Sequence, residues 1–431
     1  MSKTRIVAVI LISASPALLL WDGLVAQAIL SGAIAVALTV TALSLRPGET
    51  EFLISAIRYP AVLVAIPAFW ILLQILPLRW VANPIWSSAE SALGHPIVGT
   101  ISVDPGTSLI SLGQYLAFCG MVLFCAAVAV DRSRAEWLLF GLTVAGLVIA
   151  SAVMMRNLLL PNLQLSSLFD EQSTTCLSIS AVVAATVCVR SLEHYQNRPK
   201  RSASNFIVTS TVAILTIVIC TFNLLAEQNH AALFAMACGL VAVGTVVLLR
   251  RLRFGAWMLV AGIIPVIGAV MLLLAGHRGE PDRSFLLAFA TPSIERSSSA
   301  LTERVLEDAP LVGTGAGTFS ALAPIYRQID ETASASVGAN TAATIAVELG
   351  LPMFWLIVLG AAALTCRFEL AAFRRGRDSF YPAMGGACLL TLLLLAFINS
   401  GMTGNAVAVM TASVMGLALA QSRSRASFSS D

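Results

Sequence analysis

The stretch SLISLGQYLAFCGMVLFCAAVAV, residues 108–130, runs for 23 residues without an Asp, Glu, Lys or Arg. A helix rises about 1.5 Å per residue, so this run covers about 35 Å and can cross the roughly 30 Å hydrocarbon core of a bilayer. Outward from it, apolar runs of comparable length occur near residues 5–20, 24–45, 59–78, 135–156 and 174–189, then near 205–226, 231–249, 255–275, 340–365, 382–399 and 405–421. With the quoted run they number twelve. Of the 431 residues, 58% are hydrophobic and only 11% charged, and the mean hydropathy is +0.86. Soluble domains do not approach these values. The expected fold is an all-α polytopic membrane protein of about twelve transmembrane helices, with residues 1–421 as one membrane domain and 422–431 as a cytoplasmic tail.

A net charge of +3 is too small to point to nucleic acid, and its distribution says more than its sum. With the amino terminus in the cytoplasm, the inside segments hold 19 of the 26 Lys and Arg residues and the outside segments seven, as the positive-inside rule requires. Both termini are then cytoplasmic and the long loops lie outside. The first run lacks a small-residue cleavage site and the next follows at once, so it reads as a span rather than a signal peptide. The eight cysteines lie in spans or at their ends, which implies no disulfide framework. No CxxC or HExxH occurs and His95, His194, His230 and His277 are scattered, so neither a metal site nor a cofactor is expected.

Two outside segments, residues 79–107 and 276–339, exceed what a helix connection needs. The first combines Trp80 and Trp86, suited to a membrane interface, with the turn formers Asn83-Pro84 and Asp104-Pro105-Gly106, and Pro84 to Leu93 reads as a short helix on the membrane surface. In the second, Ser297 or Ser298 can cap a helix with Leu301, Val305 and Leu306 on one face and Glu303, Arg304, Glu307 and Asp308 largely on the other. Pro310 follows its end, PLVGTGAGTF (310–319) forms a tight loop, and Thr318 starts a second helix toward Tyr326 and Arg327.

Gly313, Gly315 and Gly317 fall at alternate positions in that loop. A dinucleotide fingerprint needs a preceding strand and a cytoplasmic nucleotide supply, and an outside amphipathic helix offers neither. Two readings stay open: the glycines let the backbone turn and approach the membrane surface closely, or their N–H groups, with the amino end of the second helix, bind an anion. By the span boundaries above, Glu348 is the only ionisable residue well inside the membrane, about one turn from Leu351-Pro352. It serves either as a hydrogen-bond partner for backbone freed at a kink or as a catalytic acid. The seven outside cations, Arg79, Arg156, Arg278, Arg283, Arg296, Arg304 and Arg327, are all arginine, the residue that grips phosphate with two parallel bonds. Several of them converging would suit a lipid pyrophosphate, with Arg304 and Arg296 favoured by their place on the helix before the glycine loop.

NPIWSSAESALGHPIVGTISVDPGTSL (83–109), ERVLEDAPLVGTGAGTFSALAPIYR (303–327), ANTAATIAVELGLPMFWLIVLG (339–360) and ASVMGLALAQS (412–422) occur in that order along most of the chain. In these stretches the chain resembles the O-antigen ligase and polymerase-like family of the bacterial envelope. The resemblance implies a GT-C type transferase at the outer face of the inner membrane. Such an enzyme moves a glycan from a polyprenyl-pyrophosphate-linked donor to a lipid or polysaccharide acceptor, without nucleotide sugar, metal or cofactor. Family members usually carry His-Asn where this chain has Ala339-Asn340, a Ser-Arg-Gly type motif where it has EQNHAAL (227–233), and often Asn-Arg-Asn-His where it has FDEQSTTC (169–176). His230 is the candidate replacement for a lost group, against a structural role at a helix start.

The candidate catalytic residues are thus Arg304, His230 and Glu348. The candidate substrate-binding residues are Arg296, Arg327, Arg156, Gly313, Gly315, Gly317 and Asn340. A transferase is the leading reading. A weakened relative that partners polysaccharide export proteins is the second, and a lipid-glycan transporter the third, disfavoured by scarce intramembrane charge.

Overall fold

The structure, a computed structural model, describes residues 3–159, 167–197, 203–251, 286–287, 296–327, 338–375 and 378–422. Among them 84% are helical and none lies in a strand. The helices are α1 (Lys3–Ser13), α2 (Ser15–Leu20), α3 (Leu24–Ala42), α4 (Pro47–Ile75), α5 (Ile85–Leu93), α6 (Pro105–Ala129), α7 (Arg132–Leu159) and α8 (Ser167–Asn197). They continue with α9 (Ala203–Ala226), α10 (His230–Arg251), α11 (Arg296–Asp308), α12 (Phe319–Tyr326), α13 (Thr341–Leu349), α14 (Leu351–Arg374), α15 (Phe380–Ala396) and α16 (Asn405–Gln421). Among the described residues eight helices are long and apolar enough to cross a membrane, and three shorter apolar ones join them, Ile6–Leu20, Phe380–Ala396 and Asn405–Gln421. The chain is an all-α polytopic membrane protein. These helices match eleven of the expected runs, and the run at 255–275 lies outside the described residues, as do 276–285, 288–295, 328–337 and 423–431.

Burial sorts the helices into layers. In the most apolar stretch of α8, 72% of residues are buried, against 22% for both α3 and α4, so α8 is a central post and the other two face outward. Around α8 pack α7, α9, α10 and α15, and α16 packs against α6 and α15. Both α15 and α16 are buried along almost their whole length. At 17 residues each they rise only about 25 Å, less than a bilayer core, which their enclosure by longer helices permits.

Their connection, residues 397–404, is irregular yet buried at Phe397, Asn399, Ser400 and Gly401. Irregular backbone at such a place requires side chains to satisfy its polar groups. Asn340 Nδ2 donates to the Phe397 carbonyl (3.0 Å), Thr341 N and Oγ1 both donate to the Asn399 carbonyl (3.0 Å each), and the Ser400 amide donates to Glu171 (2.8 Å).

Three expectations change. The segment FDEQSTTC is helical, because α8 starts at Ser167 rather than near residue 174. Asp104-Pro105-Gly106 is a helix start rather than a free turn: Asp104 caps α6 by accepting from the amides of Gly106 (3.0 Å) and Thr107 (3.1 Å), with Pro105 in the first turn. The run at 340–365 is two helices, interrupted at Gly350 with φ +87°, and Pro352 sits at the start of the second rather than at a kink. At that break α4 supplies the missing donors: Trp70 Nε1 reaches the Leu349 carbonyl (2.9 Å) and Gln74 Nε2 the Glu348 carbonyl (3.0 Å). Glu348 therefore precedes the long span, and a different carboxyl, Glu369, lies buried within it.

Candidate functional site

The helix, glycine loop and second helix expected from the sequence are present. Leu301, Val305 and Leu306 bury one face of α11, Glu303, Glu307 and Asp308 are exposed, and α12 follows Thr318. Pro84 precedes α5, which Gly94 closes in the left-handed region at φ +71°. Gly313, Gly315 and Gly317 have φ of +83°, +112° and +76°, which favour glycine. A Cβ on Gly313 would meet the Glu348 carbonyl at 2.2 Å, and one on Gly315 would meet Ser102 Oγ at 2.3 Å. The close approach that requires glycine at these positions is to other parts of the protein. The two long segments dock together here: Val103 N donates to the Thr314 carbonyl (2.8 Å) and Ser108 Oγ to the Ala316 carbonyl (3.0 Å).

The loop amides bind a carboxyl of the chain itself, that of Glu348. The Glu348 carboxyl accepts from the amides of Phe319 (3.2 Å) and Gly317. Gly315 N donates to the Glu348 carbonyl and Thr314 N to that of Val347, both at 3.0 Å. Burial pushes the Glu348 carboxyl up to about 7, opposed by the two amides that stabilise its charged form. As a result, Gly313, Gly315 and Gly317 build a socket for Glu348.

Arg304 is likewise engaged: Nη1 donates to the Tyr326 carbonyl (2.6 Å) and Nε to the Ala300 carbonyl (3.1 Å), tying α11 to the end of α12. Arg327 follows α12 and Arg296 opens α11. A cavity of about 260 Å³ opens between the two long segments, bordered by Asn83, Val103, Asp308, Thr314 and Tyr326 among others, and neither Arg304 nor Arg327 lines it. Asp308 accepts the Tyr326 hydroxyl, and burial together with that carboxylate pushes the phenol up.

A second assembly crosses the same end of the bundle. Arg156, near the end of α7, forms an ion pair with Asp170 and lies over the Phe169 ring at 5.0 Å. Glu227, between α9 and α10, accepts from Asn157 (3.3 Å) and Thr174 (3.4 Å). Burial raises the Glu227 carboxyl, opposed by its bond from Asn157, while the charge of Asp170 raises it further and that of Arg156 lowers it. Glu171 accepts from Ser400, Thr175 donates to Asn399 (3.4 Å), and Asp22 accepts from Gln172 and from Asn405 (2.7 Å). Buried Asn399 Nδ2 and Gln172 Oε1 have no hydrogen-bond partner within this belt. The belt sets Asp170 and Glu227 beside Arg156, with Glu171 on Ser400 and Asp22 on Gln172 and Asn405 further along it.

The structure thus brings Asn340 and Arg156 to opposite ends of one polar belt and joins Glu348 to the three glycines. Arg156 is in the belt and Arg304 in the α11–α12 unit next to Arg327, while Arg278 and Arg283 lie outside the described residues. His230 is exposed at the start of α10, which packs on α8, α9, α14 and α15, whereas α11 packs on α12 and α13. Sequence reasoning took Asp170, Glu171 and Glu227 for family departures, and their i, i+1 and long-range pairing left no periodic signal.

The fold and belt define a polytopic all-α membrane protein with a carboxylate-rich polar surface at one end of its bundle. No protein-family model matches the chain, and no curated protein matches it.

Proposed function

We propose that the chain is a membrane transferase moving a glycan from a polyprenyl-pyrophosphate-linked donor to a lipid or polysaccharide acceptor at the outer face of a bacterial inner membrane. The observation that supports it is the belt itself. Asp22, Asp170, Glu171, Glu227 and Asn399 offer acceptors for sugar hydroxyls, beside one guanidinium suited to a phosphate oxygen. In the reaction, the acceptor hydroxyl oxygen attacks the anomeric carbon, the bond from that carbon to the phosphate oxygen breaks, and polyprenyl pyrophosphate leaves with the electron pair. Glu227 takes the hydroxyl proton, a role suited to a carboxyl whose proton affinity burial has raised. Arg156 meets the charge on the leaving pyrophosphate.

A second reading rests on a different observation: Ala339 stands where the resembled family has histidine, and Arg304 is committed to Tyr326. On that reading the chain is a non-catalytic partner of polysaccharide export proteins. Purified protein in lipid discs, given a polyprenyl-pyrophosphate-linked oligosaccharide and an acceptor, separates the two. The transferase reading expects product from wild type and a loss of about a hundredfold in Glu227→Gln. No product from folded wild type overturns it and leaves the partner reading.

A further inference from the structure

Glu369 lies in the last turns of α14 with 1% of its surface exposed, and neither carboxyl oxygen has a hydrogen-bond partner. A Cβ on Gly386 of α15 would come within 2.4 Å of Oε1, so the carboxyl fills the room that this glycine leaves between the two helices. The charges nearby are engaged elsewhere. On α14 itself, Arg367 lies over the Tyr59 ring of α4 at 5.6 Å and Arg374 is exposed; Arg375, just past the helix end, donates from Nη2 to Gln421 of α16 at 3.3 Å, and its Nη1 is buried without a hydrogen-bond partner, its charge interacting with Asp378, Tyr381 and Arg132. From α10, Arg250 binds Ser379 and pairs with Glu193 at 3.6 Å; from α13, Glu348 sits in the glycine socket. On α4, Glu49 bonds its own helix start and Arg58 lies next to Tyr59 in sequence. Tyr381 of α15 sits among Arg132, Arg190, Glu136 and Asp378 at the helix end. Cys366 lies one turn back on α14.

A bare carboxylate in this position would carry its charge into desolvated surroundings with nothing to offset it, a state that buried groups escape by taking up a proton. Among the described residues no three His, Cys, Asp or Glu side chains gather to hold a metal ion, which leaves the proton as the ligand that fits. We propose that Glu369 is an intramembrane proton-binding site, occupied as the neutral acid while α14 and α15 are packed and emptied only when they separate. Proton occupancy and the packing of these helices are then linked, each favouring the other. The same α14 begins at the Gly350 break beneath the Glu348 socket, so a shift of this helix reaches the candidate site at its other end.

Infrared difference spectra of the full-length protein in lipid discs test this near neutral pH. Wild type minus Glu369→Gln should show the carbonyl stretch of one neutral carboxylic acid per chain. Dicyclohexylcarbodiimide, an apolar reagent for neutral carboxyls, should add to Glu369 and be lost from that residue in Glu369→Gln. Because Gln is neutral and of similar shape, the variant should unfold at the wild-type temperature. Should it fail to fold, Glu369→Asp replaces it, and the acid band should shift rather than vanish. A carboxylate band in place of the acid band, or wild-type protein that takes no adduct at Glu369, overturns the proposal.

Discussion

The Glu348 carboxyl accepts the backbone amide of Phe319 at 3.2 Å, so the glycine loop and the α13 helix are joined by a carboxyl that the chain supplies itself. Burial raises this carboxyl from the ordinary 4.5 to about 7, which means that folding favours its protonated form. The stability this contributes is full below about pH 4.5, declines as pH rises toward about 7, and is flat above that. Hydrogen exchange at Gly315 to Phe319 should therefore quicken across that interval in wild type, while Glu348→Gln, which keeps an acceptor oxygen, should show no step. An identical step in both proteins would assign the titration to another group.

The glycines separate two kinds of obstruction. At Gly313 a Cβ meets backbone, the Glu348 carbonyl at 2.2 Å and Gly350 N at 2.6 Å, whereas at Gly317 it meets Ser111 Oγ at 2.2 Å. Gly313→Ala should cost roughly 2 kcal/mol or more with no side-chain remedy. Gly317→Ala should be partly restored by Ser111→Ala, leaving about 1–2 kcal/mol of left-handed strain. Thermal unfolding of Gly313→Ala and Gly317→Ala, each with and without Ser111→Ala, checks the contrast, which an equal rescue at both positions would refute.

How far the sequence reached follows from which signals are periodic. Apolar runs and the α11 face repeat along one helix, so their hydropathy marks them, and Pro310 and Thr318 mark the ends. The break at Gly350 escaped because its run stays apolar on both sides, and only Trp70 and Gln74, far away in sequence, make it tolerable. The belt escaped for a related reason: Asp170, Glu227 and Ser400 meet across three connections, and no local pattern records that meeting. Arg304 was legible as a special residue, but the Tyr326 carbonyl it grips was not.

Residues 132, 190 and 250 gather at one end of the bundle through Arg132–Asp378, Arg190–Glu136 and Arg250–Glu193 pairs, with Arg375 on Gln421 near Asp378, while Asp22, Arg156, Glu227 and Asn340 lie at the other. With the arginine-rich end in the cytoplasm, reporter fusions at Ser204 should read inside and those at Ser299 outside. The same compartment for both would defeat the threading.

Asn340 is fully buried and does two tasks: Oδ1 caps α13 by accepting from Ala343 N (2.8 Å), and Nδ2 satisfies the carbonyls of Phe397 (3.0 Å) and Leu286 (2.6 Å). Loss of a cap costs about 1 kcal/mol, and a stranded buried carbonyl about 1–3 kcal/mol. With the cap and both carbonyl partners lost, Asn340→Ala should therefore lose roughly 3–7 kcal/mol. Asn340→Asp, which keeps the cap but strands the carbonyls beside a new charge, should fare no better. Denaturation of both variants would show otherwise if Asp matched wild type.

Arg304 poses the sharpest choice between holding the fold and holding a substrate. Its Nη1 bond to the Tyr326 carbonyl, with Nε on the Ala300 carbonyl, fixes the far end of α12 against α11. A charged donor to a partly buried carbonyl contributes about 1.5–3 kcal/mol, so Arg304→Ala should loosen the Ser297 to Tyr326 unit and raise its protease sensitivity. Lysine can supply one of the two donors, so Arg304→Lys should restore part of the protection. On the proposed transferase reading, glycan transfer should fall in step with that loosening across the three proteins. If transfer collapses in Arg304→Ala, by tenfold or more, which is about 1.4 kcal/mol, while the unit stays as protected as in wild type, the guanidinium acts on the substrate rather than on Tyr326.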